Sequence, residues 1–133
     1  MQLTQILTSL GASVLFFSLT SPAMGQTNAS IKADEVILEM SQAFKKNDKA
    51  QLSRLLPKAR GHTLEPWAAF WELRVRLDQA SDSDIQQFLS QYAGTYAEDR
   101  LRNDWLLQLG RQRDWANFAK EYSRFRMNDD REV

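Results

Sequence analysis

The chain has 133 residues, in which 17 lysines and arginines balance 17 aspartates and glutamates, and it has no cysteine. That length is one small domain or part of a larger one, and a net charge of zero excludes the basic field that holds nucleic acid. Without a thiol there is no disulfide framework, thiolate metal site or cysteine nucleophile, so the fold must be stable through packing alone.

No ionisable side chain occurs before Lys32. Residues 6–19 form an apolar run of secretory length, followed by Ser21-Pro22-Ala23-Met24-Gly25-Gln26, with small residues Ala23 and Gly25 placed as before a cleavage point. A spanning helix needs ~20 predominantly apolar residues, and this run is shorter and broken by serine and threonine. Residues 1–25 are therefore expected to be a signal peptide, with no stable membrane span. Residues 1–5 carry no Lys or Arg, so an uncleaved amino-terminal anchor is the competing reading.

Residues 26–32 are small and polar and are expected to be a linker, with a helical region from 33 to 133. Val36, Ile37, Met40 and Phe44 recur at helical spacing, and Asp34 and Glu35 are expected in the first turn, where the helix dipole favours anions. Asp48 can cap a second helix carrying Leu52, Leu55 and Leu56, ended by Pro57. Arg60-Gly61-His62-Thr63 reads as a turn. Pro66 suits the first turn of a third helix, with Trp67, Phe70, Trp71 and Val75 on one face and Leu73 and Leu77 beside it.

Ser81-Asp82-Ser83-Asp84 is a cap cluster that opens a fourth helix, whose face is Ile85, Phe88, Leu89 and Tyr92 and whose end is Gly94. A fifth helix carries Leu101, Trp105, Leu106 and Leu109 and is expected to end at Gly110. A sixth opens at Asp114 and carries Trp115, Phe118, Ala119 and Tyr122. After Phe125 the sequence turns polar. No segment alternates with period two, so the expected class is all-α. Short helices with tight joints predict stacked antiparallel helical hairpins, an α-superhelix or solenoid segment; a free-standing bundle is the alternative.

Candidate chemistry is sparse. His62, the only histidine, falls in a turn and is expected on the surface. Ser81 and Ser83 read as caps rather than nucleophiles. Glu65 and Glu72 flank Trp67 and Trp71, as glycoside chemistry would want. Yet Glu65 opens a helix and Glu72 has Arg76 four residues on, so both are expected at the surface. Arg100, Arg102, Arg111 and Arg113 are offset by nearby acids. No catalytic, cofactor-binding or metal-ligating residue is expected. Trp67, Trp71, Trp105 and Trp115 remain as possible glycan or inter-helix contacts, since an indole face packs a pyranose as well as a neighbouring helix.

Three segments in order carry a family resemblance: Gly61-His62-Thr63-Leu64-Glu65-Pro66-Trp67 with Trp71-Glu72-Leu73, then Tyr92-Ala93-Gly94-Thr95-Tyr96-Ala97-Glu98-Asp99-Arg100-Leu101-Arg102, then Trp105-Leu106-Leu107-Gln108-Leu109-Gly110-Arg111-Gln112-Arg113-Asp114-Trp115. Together they resemble the start of the helical superstructure of soluble lytic murein transglycosylases. The resemblance runs from about Val36 to the end. It implies a periplasmic lyase that cleaves peptidoglycan between N-acetylmuramic acid and N-acetylglucosamine, forming 1,6-anhydromuramoyl ends. The family's catalytic Glu, followed by Ser, lies in a lysozyme-like domain downstream. This chain has no Glu-Ser pair, and no catalytic residue carries over. The expected role is a non-catalytic scaffold of such a cell-wall enzyme. Its implied partners are peptidoglycan glycan strands and the C-terminal helices and catalytic domain of the parent. The alternative is an autonomous periplasmic helical-repeat module that binds a protein or a glycan.

Overall fold

The computed structural model describes residues 23–127. Most of the expected signal peptide and the polar end of the chain lie outside the described residues. The elements in order are α1 (Ala23–Lys45), α2 (Lys49–Leu55), a 3₁₀ turn (Leu56–Ala59), α3 (Glu65–Val75), α4 (Asp82–Gln91), α5 (Tyr96–Gln112) and α6 (Trp115–Tyr122). No strand occurs among the described residues, and the chain is all-α.

Most joints follow from local chemistry. Asn47 takes a left-handed conformation, and Asp48 turns its carboxylate onto the Gln51 N–H at 3.0 Å, opening α2. Ser81 and Asp84 form a reciprocal capping box at the head of α4. Thr95 caps α5 and Asp114 caps α6 through their side-chain oxygens. Gly61 and Gly94 supply the positive φ values, +80° and +83°, of the turns before α3 and α5.

Three boundaries differ from expectation. Residues 26–32, expected as a linker, belong to α1. No proline interrupts them, so once the apolar turn from Val36 onward is nucleated the helix propagates backwards at little cost. Asp34 and Glu35 consequently lie within α1 rather than in its first turn. Pro57 does not stop α2 directly; it sits in the first turn of the 3₁₀ segment, where its missing N–H has no partner to lose. Gly110 does not end α5. The helix runs to Gln112 and closes at Arg113, a non-glycine residue at φ 58°, with the Asp114 N–H returning to the Leu109 carbonyl at 3.0 Å.

α3 is the partition of the core. Its Ala68 packs with Ile37, Met40, Ala43, Leu52, Leu55 and Ala59 in one cluster. Its Ala69, Phe70 and Leu73 pack with Leu77, Ile85, Phe88, Leu89, Leu101, Trp105 and Leu109 in the other. A helix with both flanks covered needs apolar residues all round, and Glu65–Val75 has them. α1 lies against α2 and α3, α3 against α5, and α5 against α4 and α6. Residues 101–106 of α5 are all buried, Arg102, Asn103 and Asp104 among them.

Candidate functional site

The four tryptophans separate. Trp105 is a core residue, 3% exposed, and Trp115 stands on α6 at 60% exposure. Trp67 and Trp71, one helical turn apart on α3, come together in a groove of about 450 Å³. The groove also draws Phe44 from the end of α1, Asn47 from the turn after it, Phe70, Arg74 and Val75 from α3, and Arg100 and Asp104 from α5.

Its aromatic wall is ordered by edge and face contacts. Trp67 meets Phe70 edge-on at 5.4 Å, and Trp71 stacks on Phe44 at 6.1 Å with 27° between planes. Tyr96, at the head of α5, extends the wall with its ring 5.9 Å from Trp67 and is 58% exposed. Such packing fixes the indoles at little entropic cost to a ligand.

Polar groups line the same groove. Arg74 Nε donates to Asp104 Oδ2 at 2.7 Å, and the Asp104 side chain is only 7% exposed, so the pair is held from the protein side. Arg100 has no acid partner among the described residues. The groove thus combines ordered aromatic rings with fixed donors, an acceptor and a cation that has no acid partner among the described residues. Arg74 and Asp104 were not legible in the sequence, being thirty residues apart with no spacing rule to link them. The acids expected to offset Arg100 are given by the structure to other arginines. Arg126 takes Asp99, and Arg102 takes Glu98.

The chain matches no protein-family model, no curated protein and no solved structure.

The carboxylates flanking the tryptophans point away from this groove. Glu65 and Glu72 line a smaller cleft of about 200 Å³ between α3 and α4, with Arg60, Arg76, Asp84 and Tyr92. Glu65 accepts the Gly61 N–H at 2.7 Å and the Tyr92 hydroxyl at 3.0 Å. Burial, then the hydrogen bond to Glu65 and the Glu65 charge, push the Tyr92 phenol up to about 12. Glu72 is buried, contrary to its expected surface position, and accepts from Ser53 at 3.0 Å and Arg76 at 2.8 Å. The expected Glu72–Arg76 pair therefore forms, but as part of the packing of α3 against α2. Hydrogen bonding to Glu72 first, then its charge and Asp84, holds the Arg76 guanidinium above its ordinary value against the cost of its burial. Each carboxylate ties two elements together, and neither is presented to a ligand as a free acid.

His62 gains a partner that the sequence did not disclose. Its Nε2 lies 2.8 Å from Asp34 Oδ1, and its Nδ1 accepts the Leu64 N–H at 2.9 Å. With Nδ1 accepting, the proton sits on Nε2 and is donated to Asp34. Both ring nitrogens are engaged, so the imidazole ties the 60–64 turn to α1 and has no lone pair for a substrate proton. No cluster of metal-ligating side chains occurs among the described residues. None of the described helices is long and apolar enough to cross a membrane.

Proposed function

We propose that this chain is a non-catalytic helical scaffold of a periplasmic peptidoglycan lytic transglycosylase, and that the Trp67–Trp71 groove is where it touches a glycan strand. The observation that carries the reading is the meeting in one groove of ordered aromatic rings with the Arg74–Asp104 pair and with Arg100, which has no acid partner among the described residues. Pyranose rings offer apolar C–H faces to indoles and hydroxyls to charged groups, and muramoyl sugars stripped of their stem peptide expose a lactyl carboxylate that suits Arg100. The ordered aromatic segments around Glu65–Pro66–Trp67 and Leu109–Gly110–Asp114–Trp115 support the family. The stacking of short helices about α3 and α5 is compatible with a solenoid segment of hairpins, and the apolar run in residues 6–19 supports export.

The test uses purified peptidoglycan sacculi and soluble glycan chains freed of their stem peptides. The full chain should co-sediment with sacculi. Arg100→Gln, on the rim of the groove, and Trp67→Ala should each weaken binding about tenfold, the ~1.4 kcal/mol expected of one good contact. No 1,6-anhydromuramoyl products should form above a protein-free control. Binding indifferent to both substitutions would remove the groove from the reading, and product formation would remove the scaffold role. Mass spectrometry of the exported chain should find an amino terminus at Gln26; retention of Met1 would defeat the export reading.

A further inference from the structure

The three helix pairs keep a common register. The capping residues of α2, α4 and α6 are Asp48, Ser81 and Asp114, each thirty-three residues from the next. The same interval separates Gly61 from Gly94, at φ +80° and +83°, and Glu65 from Glu98. Each of these glutamates accepts the N–H of the glycine four residues before it at 2.7 Å. Contacts between helices recur as well. Asp34 of α1 meets His62 just before α3, and Trp67 of α3 meets Tyr96 at the head of α5. Further along the same helices, Phe44 meets Trp71 and Arg74 meets Asp104. Early positions meet early ones and late positions late ones, so α1, α3 and α5 run parallel, with α3 packed against both of the others.

This order gives the Trp67–Trp71 groove a direction. Its lining crosses all three parallel helices, with Asn47 just past α1 at one end, the indoles of α3 in the middle, and Arg100 and Asp104 of α5 at the other end. Asn47 is exposed, on a left-handed backbone at φ 55°. A helix with its side chains is about 10 Å wide, more than a single pyranose ring covers. One ring therefore reaches the indoles and one polar end, and only linked rings reach both.

We propose that the three hairpins are copies of one thirty-three-residue unit, and that a glycan strand lies across their parallel first helices, from Asn47 over Trp67 and Trp71 to Arg100 and Asp104. The ligand is then an oligosaccharide of several rings and not a single sugar or disaccharide. This inference rests on the glycan reading of the groove and adds the length and course of the ligand. Repeated hairpins present such crosswise surfaces because each unit sets the same helix beside its neighbour's. Linked rings share one loss of translational freedom, so affinity rises with length until the groove is spanned and then levels off.

The probes are glycan fragments freed of stem peptides and fractionated into chains of one, two and four disaccharides, each titrated against the full chain by calorimetry. Affinity should rise at least tenfold from one disaccharide to two, beyond what the greater number of ways of seating a longer chain gives. From two to four it should rise by that statistical factor alone. Asn47→Gly deletes the amide at one end and keeps the left-handed backbone, so the thermal melt should not fall. It should weaken the two-disaccharide chain at least threefold and leave the single disaccharide unchanged, whereas Arg100→Gln should weaken both. A length series that follows the statistical factor throughout would overturn the inference and leave the groove a glycan site, and the parent chain alone decides that. So would an Asn47→Gly variant, folded by its melt, that binds both lengths as the parent does or loses both equally. Absence of binding at every length would overturn the glycan reading together with this inference.

Discussion

Glu121 shows how much one side chain can carry. It sits at the inner face of α6, almost without solvent, and accepts from the Arg102 guanidinium and the Gln86 amide. Arg102, itself 3% exposed, is shared with Glu98 at 2.8 Å. Removing one partner of a buried ion pair strands the other charge, at a cost of ~3–5 kcal/mol. Glu121→Ala should therefore lower the urea midpoint severely, and Arg102→Met combined with Glu121→Leu should cost less than the single change. A double variant as unstable as Glu121→Ala would show that the pair contributes more than its own desolvation. Tyr92 offers a second test at the alkaline end. Its phenol rises from an ordinary 10.0 to about 12, so folding favours the neutral form. Its contribution is complete below pH 10 and is lost as pH rises through about 12. Tyr92→Phe should flatten that alkaline decline relative to the parent chain, read as Tm against pH.

At the scale of the element, the joints are where small changes have calculable effects. Arg113 closes α5 in the left-handed region, which costs a side chain ~1 kcal/mol that glycine does not incur. Arg113→Gly should raise stability by about that amount. Gly94, at φ +83° with open space around its Cα, should behave oppositely. Gly94→Ala meets no atom yet should cost ~1–2 kcal/mol from backbone strain alone. Ser81 holds the capping box of α4, and Ser81→Ala should cost ~1 kcal/mol. Chemical denaturation of the three variants checks all of them. A neutral Gly94→Ala would mean that the turn relaxes to negative φ. Four of these joints were legible beforehand, because Asp48, Ser81, Gly94 and Asp114 act on atoms within three or four residues of themselves. The end of α5 was not. Gly110 looks like a terminator, but the helix continues past it because the cap is completed only when Asp114 folds back onto Leu109.

The whole molecule has two core clusters joined through α3, with Phe44, Leu56 and Trp71 packed against both. A shared wall couples them, so unfolding should be a single transition, with far-ultraviolet dichroism and tryptophan fluorescence coincident. Acid should weaken the fold through a named group. Burial works to raise the Glu98 carboxyl, but the Gly94 N–H, Arg102 and Arg126 together hold it below its ordinary 4.5. A carboxylate with a lowered folded value contributes stability above its unfolded value and loses it as pH falls through the folded one. Asp84, lowered by its Ser81 hydrogen bonds and then Arg76, acts in the same direction. The urea midpoint should thus decline from pH 5 downward, and Glu98→Gln should decline less steeply while starting from a lower value at pH 7. Equal acid slopes in the two chains would mean that other groups govern the transition.

Helical periodicity and capping residues determined the all-α class and most helix starts, because those signals act over one or two turns and need no partner from elsewhere. The same short range explains what sequence reading could not reach. Trp67, Trp71, Trp105 and Trp115 share one residue type and similar helical contexts. One is core, one is exposed on α6 and two line a groove, because their fates depend on which helix lies opposite. The burial of Glu72, the engagement of His62 by Asp34 and the pairing of the acids near Arg100 with other arginines are likewise products of contacts between elements distant in sequence. Only the packing of α5 against α3 and α6 decided which charges were paired inside and which were left facing solvent. A buried charge takes whatever partner the fold brings within hydrogen-bond reach, and that distance is set by tertiary structure.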